Sequence, residues 1–373
     1  MKQIAFYLPQ YHEIPENNEW WGEGFTEWVT VKNARSLFKG HIQPEKPYKN
    51  IYYNLLDPTV MRKQSDLALE YGLDGFCYYH YWFSGKLLLE KPLENMLRDS
   101  AIKIPYCFCW ANESWARTWD GQETNYLIKQ NYDESRGEII EHYKYLSRFF
   151  KDNRYIKIDN KPIIIIYKPQ LIKNIGEMML VWNLLSTEDG FDGLLWGFQH
   201  PSAFTDSNIV EKFDFGIEFE PLYTDYILEG ARANLQGKKR VFYGLRHPIW
   251  MLSKLKKRIR KLPSIRNYDK VWENILSRRP VNKKIMAGAF PAWDNTPRKA
   301  DRGIVYFGAH PSKFYKYLKK QIAHANAEYN NLFLFINAWN EWGEGAHLEP
   351  DAYNEYGYLE ALRDAKKEFI EKR

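Results

Sequence analysis

The chain of 373 residues is predicted to fold as a (β/α)8 TIM barrel, an α/β fold in which eight parallel strands alternate with helices. Short apolar runs rich in β-branched and aromatic residues recur eight times, and amphipathic stretches lie between most of them. Aromatic and polar residues follow nearly every run, where barrel enzymes build their active sites. An open doubly wound sheet is the alternative, but no glycine-rich phosphate turn follows the first strand.

The predicted strands follow the apolar runs in chain order, and they cover 3–8, 73–79, 104–110, 162–167, 193–198, 214–220, 284–290 and 331–338. The predicted helices repeat apolar residues with a period near 3.6, and they cover 58–71, 91–100, 134–151, 172–187 and 311–327. Two connections far exceed the usual few residues: 10–57 after the first strand and 221–283 after the sixth. We therefore expect one barrel domain over 1–373, with long loops after strands 1 and 6 and a basic insertion around 222–283.

Composition supports a globular chain with a large core, since 45% of residues are hydrophobic and 27% are charged. Aromatic residues reach 17%, with 14 tryptophans. A large aromatic core explains part of this excess. Sugar-binding clefts are the other explanation, because the apolar face of a pyranose ring packs on an indole.

Three cysteines, Cys77, Cys107 and Cys109, fall in predicted strands. An odd number of cysteines in buried strands indicates free thiols and a reducing compartment. They do not complete a zinc-binding set, so neither a metal nor a cofactor is predicted. The first apolar run is short and is broken by Pro9, which is atypical of a signal peptide, and no run reaches the length of a membrane span. We expect a cytoplasmic location.

The positive charge of the chain is concentrated in one segment. The net charge is +6, yet 238–261 holds ten Lys and Arg and no acid, which leaves −4 for the rest. Within 250–262, apolar residues at helical spacing form one stripe. We favour a solvated helix packed on the barrel; contact with an anionic membrane surface or a lipid carrier is the alternative. No nucleic-acid partner is expected, because the remaining chain is acidic.

Two carboxylates at the end of the last strand are the candidate catalytic pair, Glu341 and Glu344. Residues three apart point to opposite faces of a strand but are neighbours on a helical turn. The chain must therefore curl after Asn340, which Gly343 and Gly345 permit. Close carboxylates push their pKa values apart and so separate an acid from a base. A separation of about 5 Å suits net retention at a glycosidic bond.

The other strand ends supply candidate substrate-binding residues of aromatic, amide, imidazole and acidic type. The candidates are Tyr7, Tyr79, His80, Trp110, Asn112, Glu113, Trp115, Tyr167, His200, Glu218, Trp293, Asp294, Trp339, Asn340 and Trp342. All of them would meet at one end of a barrel, where they would form a shared cleft.

Several of these residues have a second interpretation. Glu113 follows Asn112 and could serve as the acid/base with Glu341 instead of contacting a substrate hydroxyl. Glu218 could form a buried structural pair with Glu220 and an arginine. His80 and His200 are more typical of hydrogen-bonded strand-end histidines, and Asp294 reads equally well as a loop cap.

The stretches 5–12 (AFYLPQYH), 24–28 (GFTEW) and 339–345 (WNEWGEG) resemble the WbsX-type family of polysaccharide gene clusters, over almost the full chain. That family resembles in turn glycoside hydrolase family 99, the endo-α-mannosidases and endo-α-mannanases, whose Glu-Trp-x-Glu motif matches 341–344. The resemblance implies that Glu344 is the acid/base on the glycosidic oxygen. It also implies that Glu341 deprotonates the sugar 2-hydroxyl to give a 1,2-anhydro intermediate. Gly343 departs from the bulkier residue of family 99.

The sequence therefore predicts a carbohydrate-active enzyme, a retaining glycoside hydrolase of family 99-like type that acts on an oligosaccharide or polysaccharide. A glycosyltransferase of O-antigen or surface-polysaccharide assembly is the first alternative. The basic segment and the absence of an export signal favour it, whereas the absence of an Asp-x-Asp motif weighs against a sugar-nucleotide donor. A non-catalytic glycan-binding barrel is the second alternative, but it would not need two adjacent acids.

Overall fold

The computed structural model describes residues 1–117, 122–132, 134–200, 211–233 and 262–371, and only the backbone of 116–117, 122–125, 200 and 229–233 within them. Eight barrel strands overlap the eight predicted runs. They are β1 (Lys2–Tyr7), β2 (Gly75–Phe83), β3 (Tyr106–Trp110), β4 (Lys161–Ile166), β5 (Leu195–His200), β6 (Phe215–Glu218), β7 (Ile285–Met286 and Gly288–Ala289) and β8 (Phe333–Ile336).

The strands form one parallel sheet that curls back on itself. Its order follows the chain from β1 to β6, and β1 pairs with β8 on its other side. The two short pieces of β7 complete the ring, because Ile285–Met286 pairs with β6 while Gly288–Ala289 pairs with β8. The predicted barrel is confirmed.

Helices connect the strands and cover the outside of the barrel. They are α1 (Pro15–Trp21), α2 (Glu27–Asn33), α3 (Pro58–Glu70), α4 (Lys91–Arg98), α5 (Arg136–Phe150), α6 (Ile175–Glu188), α7 (Leu222–Ala233), α8 (Tyr268–Ser277), α9 (Thr296–Lys299), α10 (Pro311–Glu328) and α11 (Gly357–Glu371). All five predicted helices are present as α3, α4, α5, α6 and α10. The start of α5 is fixed by Ser135, whose side chain accepts from the Glu138 amide while Glu138 accepts from the Ser135 amide.

The alternation of side chains along each strand separates two apolar layers. Inside the barrel, the ring of Phe6 contacts those of Tyr79, Phe219 and Phe335 at centroid distances of 5.7, 5.2 and 5.6 Å. The next residue, Tyr7, points the other way, and its hydroxyl donates to Gln64 of α3 at 2.6 Å. Adjacent aromatic residues at one strand end therefore serve different layers.

Strand β2 extends four residues beyond its predicted end. Its last residues pair antiparallel with Lys86–Leu88, so the strand continues above the barrel as a hairpin. Ser84 and Gly85 make the turn, with φ angles of 47° and 91°. This extension places Tyr79 and Tyr81 on one face and His80 on the other.

The predicted basic insertion is described only at its two ends. These are α7 at the start, and α8 with the short strand Ser264–Asn267 at the end; that strand pairs with Ile304–Phe307. The segment 250–262 lies outside the described residues except for Leu262. Among the described helices, none has the length and apolarity needed to cross a membrane. Cys77, Cys107 and Cys109 are buried free thiols, in the strands β2 and β3.

Candidate active site

A cavity of about 420 Å³ opens at the C-terminal ends of the barrel strands. Residues from seven strand ends or the loops that follow them contribute to its lining, together with α1, α2 and α9. Seven of the predicted site residues line it: Tyr79, Glu113, Trp115, Tyr167, Trp293, Glu341 and Glu344.

The two acids reach the cavity because the chain curls after β8, as predicted. Trp342–Glu344 forms one 3-10 turn, and the short strands Asn340–Glu341 and Ala346–His347 pair antiparallel on either side of it. Gly345 ends the turn in the left-handed region with φ 56°, a conformation that glycine adopts without steric cost. Residues 341 and 344 thereby become neighbours on a single turn.

One arginine binds both acids. The Nη2 atom of Arg298 lies 2.9 Å from Glu341 Oε2, and its Nη1 atom lies 3.0 Å from Glu344 Oε1. Its Nε atom donates to Oε1 of Glu27, from α2, at 2.7 Å. A single guanidinium thus contacts three carboxylates, two from the last barrel loop and one from the first.

Gly343 allows this arrangement for a different reason from the one predicted. Its φ angle is not positive, so backbone freedom does not require glycine at this position. A Cβ atom on Gly343 would instead lie 1.9 Å from Glu27 Oε1 and 2.7 Å from Arg298 Nε. The missing side chain is the space that Glu27 and Arg298 occupy.

Burial changes the acidity of the pair. Removal from water raises the pKa of Glu341 to about 8; the Glu344 and Glu27 carboxylates add to this, and Arg298 opposes it. Burial by itself lowers the pKa of Arg298, but the three carboxylates outweigh it and hold that pKa well above its ordinary value. Arg298 therefore stays charged, while burial shifts Glu341 toward its protonated form.

The predicted residues Trp339, Asn340 and Trp342 are buried and lie behind the turn Trp342–Glu344, here called the acid turn. The indole N–H groups of Trp339 and Trp342 donate to the two oxygens of Glu349, at 3.1 and 2.7 Å. The amide of Asn340 bonds both backbone groups of Leu8, at 2.7 and 3.0 Å. These side chains fix where the turn lies and do not line the cavity.

Aromatic side chains form one wall of the cavity. Trp115 packs edge-on against Tyr81 and Phe83 of β2, with ring centroids 5.2 and 5.8 Å apart. Trp21 and Phe25, from the loop after β1, line the same cavity and contact each other at 5.9 Å. Partly exposed rings over a polar floor are the surface that a sugar ring contacts.

Glu113 lines the cavity but is already paired. Its carboxylate contacts the ammonium of Lys168, and the Asn112 side chain fixes Lys168 by hydrogen bonds of 2.8 and 2.7 Å to its backbone. Asn112 itself is fully buried. The ion pair of Glu113 is with Lys168, so the acids that share a partner in the structure are Glu341 and Glu344, through Arg298.

Three further predicted residues, Tyr7, His80 and Trp110, lie behind the cavity wall. Tyr7 bonds Gln64, as described above. His80 faces His142 of α5, with 2.9 Å between their Nε2 atoms, and burial lowers the pKa of His80 to about 3. Trp110 donates to the Trp82 carbonyl at 3.3 Å. Each occupies the outward face of its strand, beneath a helix.

Glu218 and Asp294 also serve the scaffold. Glu218 points away from the barrel interior and binds Arg278 at 2.5 Å, which is the structural alternative considered above. Asp294 caps the loop after β7: one oxygen accepts from the Thr296 amide at 2.9 Å, and the other lies 2.6 Å from His41 Nε2. The side chain of His200 lies outside the described part of the structure.

Among the cavity residues that sequence reasoning missed, Arg298 and Glu27 belong to the charge cluster of the acid pair. Tyr81, Gln10 and Lys299 also line the cavity and were not predicted. Glu27 lies within the aromatic stretch 24–28, and Arg298 lies nine residues after Ala289, where the seventh strand ends. Treating every charged residue in the loop after a barrel strand as a site candidate would have included both Glu27 and Arg298.

Comparisons with known proteins agree with the sequence resemblance. The family model described as "Glycosyltransferase WbsX" matches residues 3–362. Two proteins of Xanthomonas campestris pv. campestris, each described as "Uncharacterized protein WxcX", are 36% identical to the chain. These alignments cover 97% of the chain and 49% of each relative. The chain therefore spans about half the length of the curated relatives it matches.

Among solved structures, the endo-α-mannosidase of glycoside hydrolase family 99 from Bacteroides thetaiotaomicron is similar over the whole barrel. In complex with bis-tris propane it superposes with a TM-score of 0.57 at 14% identity, covering 99% of this chain and 97% of that one. A "Glycoside hydrolase-like protein" superposes with a TM-score of 0.56 at 12% identity, covering 98% and 93%. At these identities the likeness establishes the fold.

Proposed function

Because the chain belongs to the WbsX glycosyltransferase family, we propose that it is a carbohydrate-active enzyme that acts at a glycosidic bond with net retention through Glu341 and Glu344. The observation that carries the proposal is the pair of carboxylates on one guanidinium, 2.9 and 3.0 Å away, at the floor of an aromatic-walled cavity. A buried acid of raised pKa that lines a cavity beside a second acid is typical of a catalytic site, and glycan binding alone does not require it.

In the first proposed step, Glu341 takes the proton of the 2-hydroxyl of the sugar whose bond is broken. The O2 atom then attacks C1, and the bond from C1 to the leaving oxygen breaks while Glu344 gives that oxygen a proton. The product is a 1,2-anhydro sugar, and the configuration at C1 is inverted once. Glu341 must be ionised for this step, whereas burial favours its protonated form.

In the second step, Glu344 takes a proton from the acceptor hydroxyl, whose oxygen attacks C1. The C1–O2 bond breaks, O2 recovers a proton from Glu341, and the second inversion restores the original configuration. The two acids finish in the protonation states in which they began, so the cycle closes without a cofactor. Net retention follows from two inversions on the same carbon.

The acceptor decides between hydrolysis and transfer. We propose hydrolase-type chemistry, with water as acceptor, in line with the Glu-x-x-Glu pair and the barrel. Transfer to a sugar hydroxyl is the second candidate, and the family description favours it. The proposed substrate is an oligosaccharide or polysaccharide that contacts Tyr79, Glu113, Trp115, Tyr167 and Trp293 along the cavity.

The test uses a panel of oligosaccharides labelled at the reducing end, with mass spectrometry of the products. Shortened chains indicate hydrolysis, and lengthened chains indicate transfer. Proton NMR of the first-formed anomer establishes the stereochemistry. Glu341→Gln and Glu344→Gln are expected to lose turnover while keeping substrate affinity. Full activity in both variants, or an inverted first product, would overturn the proposal.

A further inference from the structure

From the three-way contact at the cavity floor, we infer that Arg298 is a positioning residue, anchored by Glu27, that holds Glu341 and Glu344 in the geometry and charge balance the reaction needs. This inference rests on the proposed function, since it assigns a role relative to the two acids. Glu27 and Arg298 act through the acids and are not themselves assigned to bond breaking.

The geometry of the guanidinium favours this role. Its three nitrogens each contact a different carboxylate, at 2.7, 2.9 and 3.0 Å. A planar fork with fixed donor directions can hold two acids at a defined separation, whereas a lysine ammonium acts as one point charge. The side chain of Arg298 is 17% exposed, so packing restricts its other conformations.

Glu27 has the contacts of an anchor. Its side chain is 1% exposed, and it contacts Arg298 through Nε, the nitrogen that does not bind Glu341 or Glu344. Gly343 lies so close that any side chain there would collide with Glu27. The acid turn, the anchor and the arginine therefore fit together as one unit, and its parts come from three loops.

The groups that face Glu341 come from several elements. Arg298 lowers its pKa, whereas Glu344 and Glu27 raise it, and burial is the largest contribution. Three tyrosines also lie within electrostatic reach of its carboxylate, and burial raises the pKa of each, so they stay neutral: Tyr11, Tyr79 and Tyr81. Arg298 and Glu27 thus shift the pKa of Glu341 in opposite directions.

The opposite effects of Arg298 and Glu27 on the pKa of Glu341 give a test that does not depend on activity. Glutamate labelled with ¹³C at Cδ reports the titration of Glu341 in the ligand-free protein, and the signal is assigned by its loss in Glu341→Gln. Arg298→Gln should raise the pKa of Glu341 by about 1 to 3 units, and Glu27→Gln should lower it by about 1 unit. Unchanged pKa values in both variants would show that neither side chain sets the charge of Glu341.

Measurements of kcat and KM then separate the effect of the Arg298 charge from the effect of its geometry. Arg298→Lys keeps the charge but cannot bridge three carboxylates, so we expect kcat to fall about 100-fold with KM nearly unchanged. Gly343→Ala should displace Glu27 and lower kcat in the same way. Arg302→Gln, a charge loss at an exposed position of the same loop, is the matched control and should keep full activity.

The outcomes distinguish the two proposals. Loss of activity in both Glu→Gln acid variants, with an unshifted pKa of Glu341 in Arg298→Gln and Glu27→Gln, overturns the positioning role of Arg298 and leaves the proposed function intact. Full activity in the acid variants overturns the proposed function whatever the titration shows. Equal thermal unfolding midpoints for Arg298→Lys and the parent protein exclude unfolding as the cause of a lower kcat; a wild-type kcat in Arg298→Lys contradicts the positioning role.

Discussion

Two arginines in this barrel each hold a group of glutamates, and the contrast between them separates a scaffold from a site. Arg298 binds Glu341, Glu344 and Glu27 at the cavity floor. Arg278 binds Glu218 and Glu220 on the outer face of β6 and the residues after it, at 2.5 Å each. The chemical groups are the same, but their surroundings differ.

The two clusters differ in the further hydrogen bonds that their carboxylates accept and in their exposure. Around Arg278, Thr224 donates to Glu220 at 2.9 Å, and the Tyr329 hydroxyl donates to Glu218 at 3.0 Å. Both of these acids are at most 1% exposed. Glu344, by contrast, is 22% exposed on the cavity side, where its carboxylate contacts Arg298. A charge cluster closed off by protein groups is part of the scaffold, whereas one that opens onto a cavity can meet a substrate.

The largest expected effect concerns turnover. Glu344→Gln removes the proposed acid/base and should lower kcat by about 10² to 10⁴-fold. Glu220→Gln, in the closed cluster, should leave kcat per folded molecule unchanged. Initial rates on the labelled oligosaccharide, corrected for the folded fraction by circular dichroism, measure both. Equal losses in the two variants would remove the distinction between the clusters.

Stability should show the reverse order. Arg278→Met leaves Glu218 and Glu220 buried without a cation to balance their charge, and we expect a loss of about 3–5 kcal/mol. Arg298→Met should cost less, because water in the cavity can solvate Glu341 and Glu344. Urea unfolding followed by circular dichroism measures the difference. A greater loss in Arg298→Met would mean that the cavity cluster also carries the fold.

The pH dependence of catalysis tests the raised pKa of Glu341. If Glu341 removes the 2-hydroxyl proton, it must be ionised, so kcat/KM should rise as the pH increases through about 8. If Glu341 instead donates a proton, kcat/KM should fall over the same range. A profile of kcat/KM from about pH 5 to pH 9.5 decides between the two signs.

The same shift predicts a smaller effect on stability. Burial raises the pKa of Glu341 from 4.5 to about 8. The stability that the protonated carboxyl contributes is therefore fully present below pH 4.5 and is lost as the pH rises through about 8. Glu341→Gln avoids that loss. Its free energy of unfolding relative to wild type should therefore increase with pH, whereas Glu141→Gln, on the exposed face of α5, should give a constant difference. A constant difference for Glu341→Gln would contradict the shift.

The smallest expected effect concerns the aromatic wall. Trp115→Ala removes a partly exposed ring from the cavity and should raise KM by about 2- to 10-fold, with little change in kcat. Trp110→Phe keeps the packing on the outward face of β3 and should leave KM unchanged. Initial rates over a range of substrate concentrations measure both. An unchanged KM in Trp115→Ala would mean that this wall does not hold the substrate.

Much of the fold was predictable because local patterns specify it. The apolar runs and helical stripes marked all eight strands and five helices. Within the site, the curl at 342–344 followed from the need to place two acids side by side. The side chains that proved to be behind the wall were misplaced because every polar or aromatic strand-end residue was considered without regard to its face. Strand alternation sends Tyr79 inward and His80 outward, and the register of β2 had to be known to tell them apart.

The sequence by itself determined the barrel and the candidate acid pair, since both depend on spacing within short segments. Only the tertiary structure brought Arg298 to Glu27, which is 271 residues away, and to Glu341, which is 43 residues away. It also decided the acidity of Glu341, because a pKa depends on burial and on neighbouring charges. Those are properties of the assembled chain, to which distant loops contribute equally.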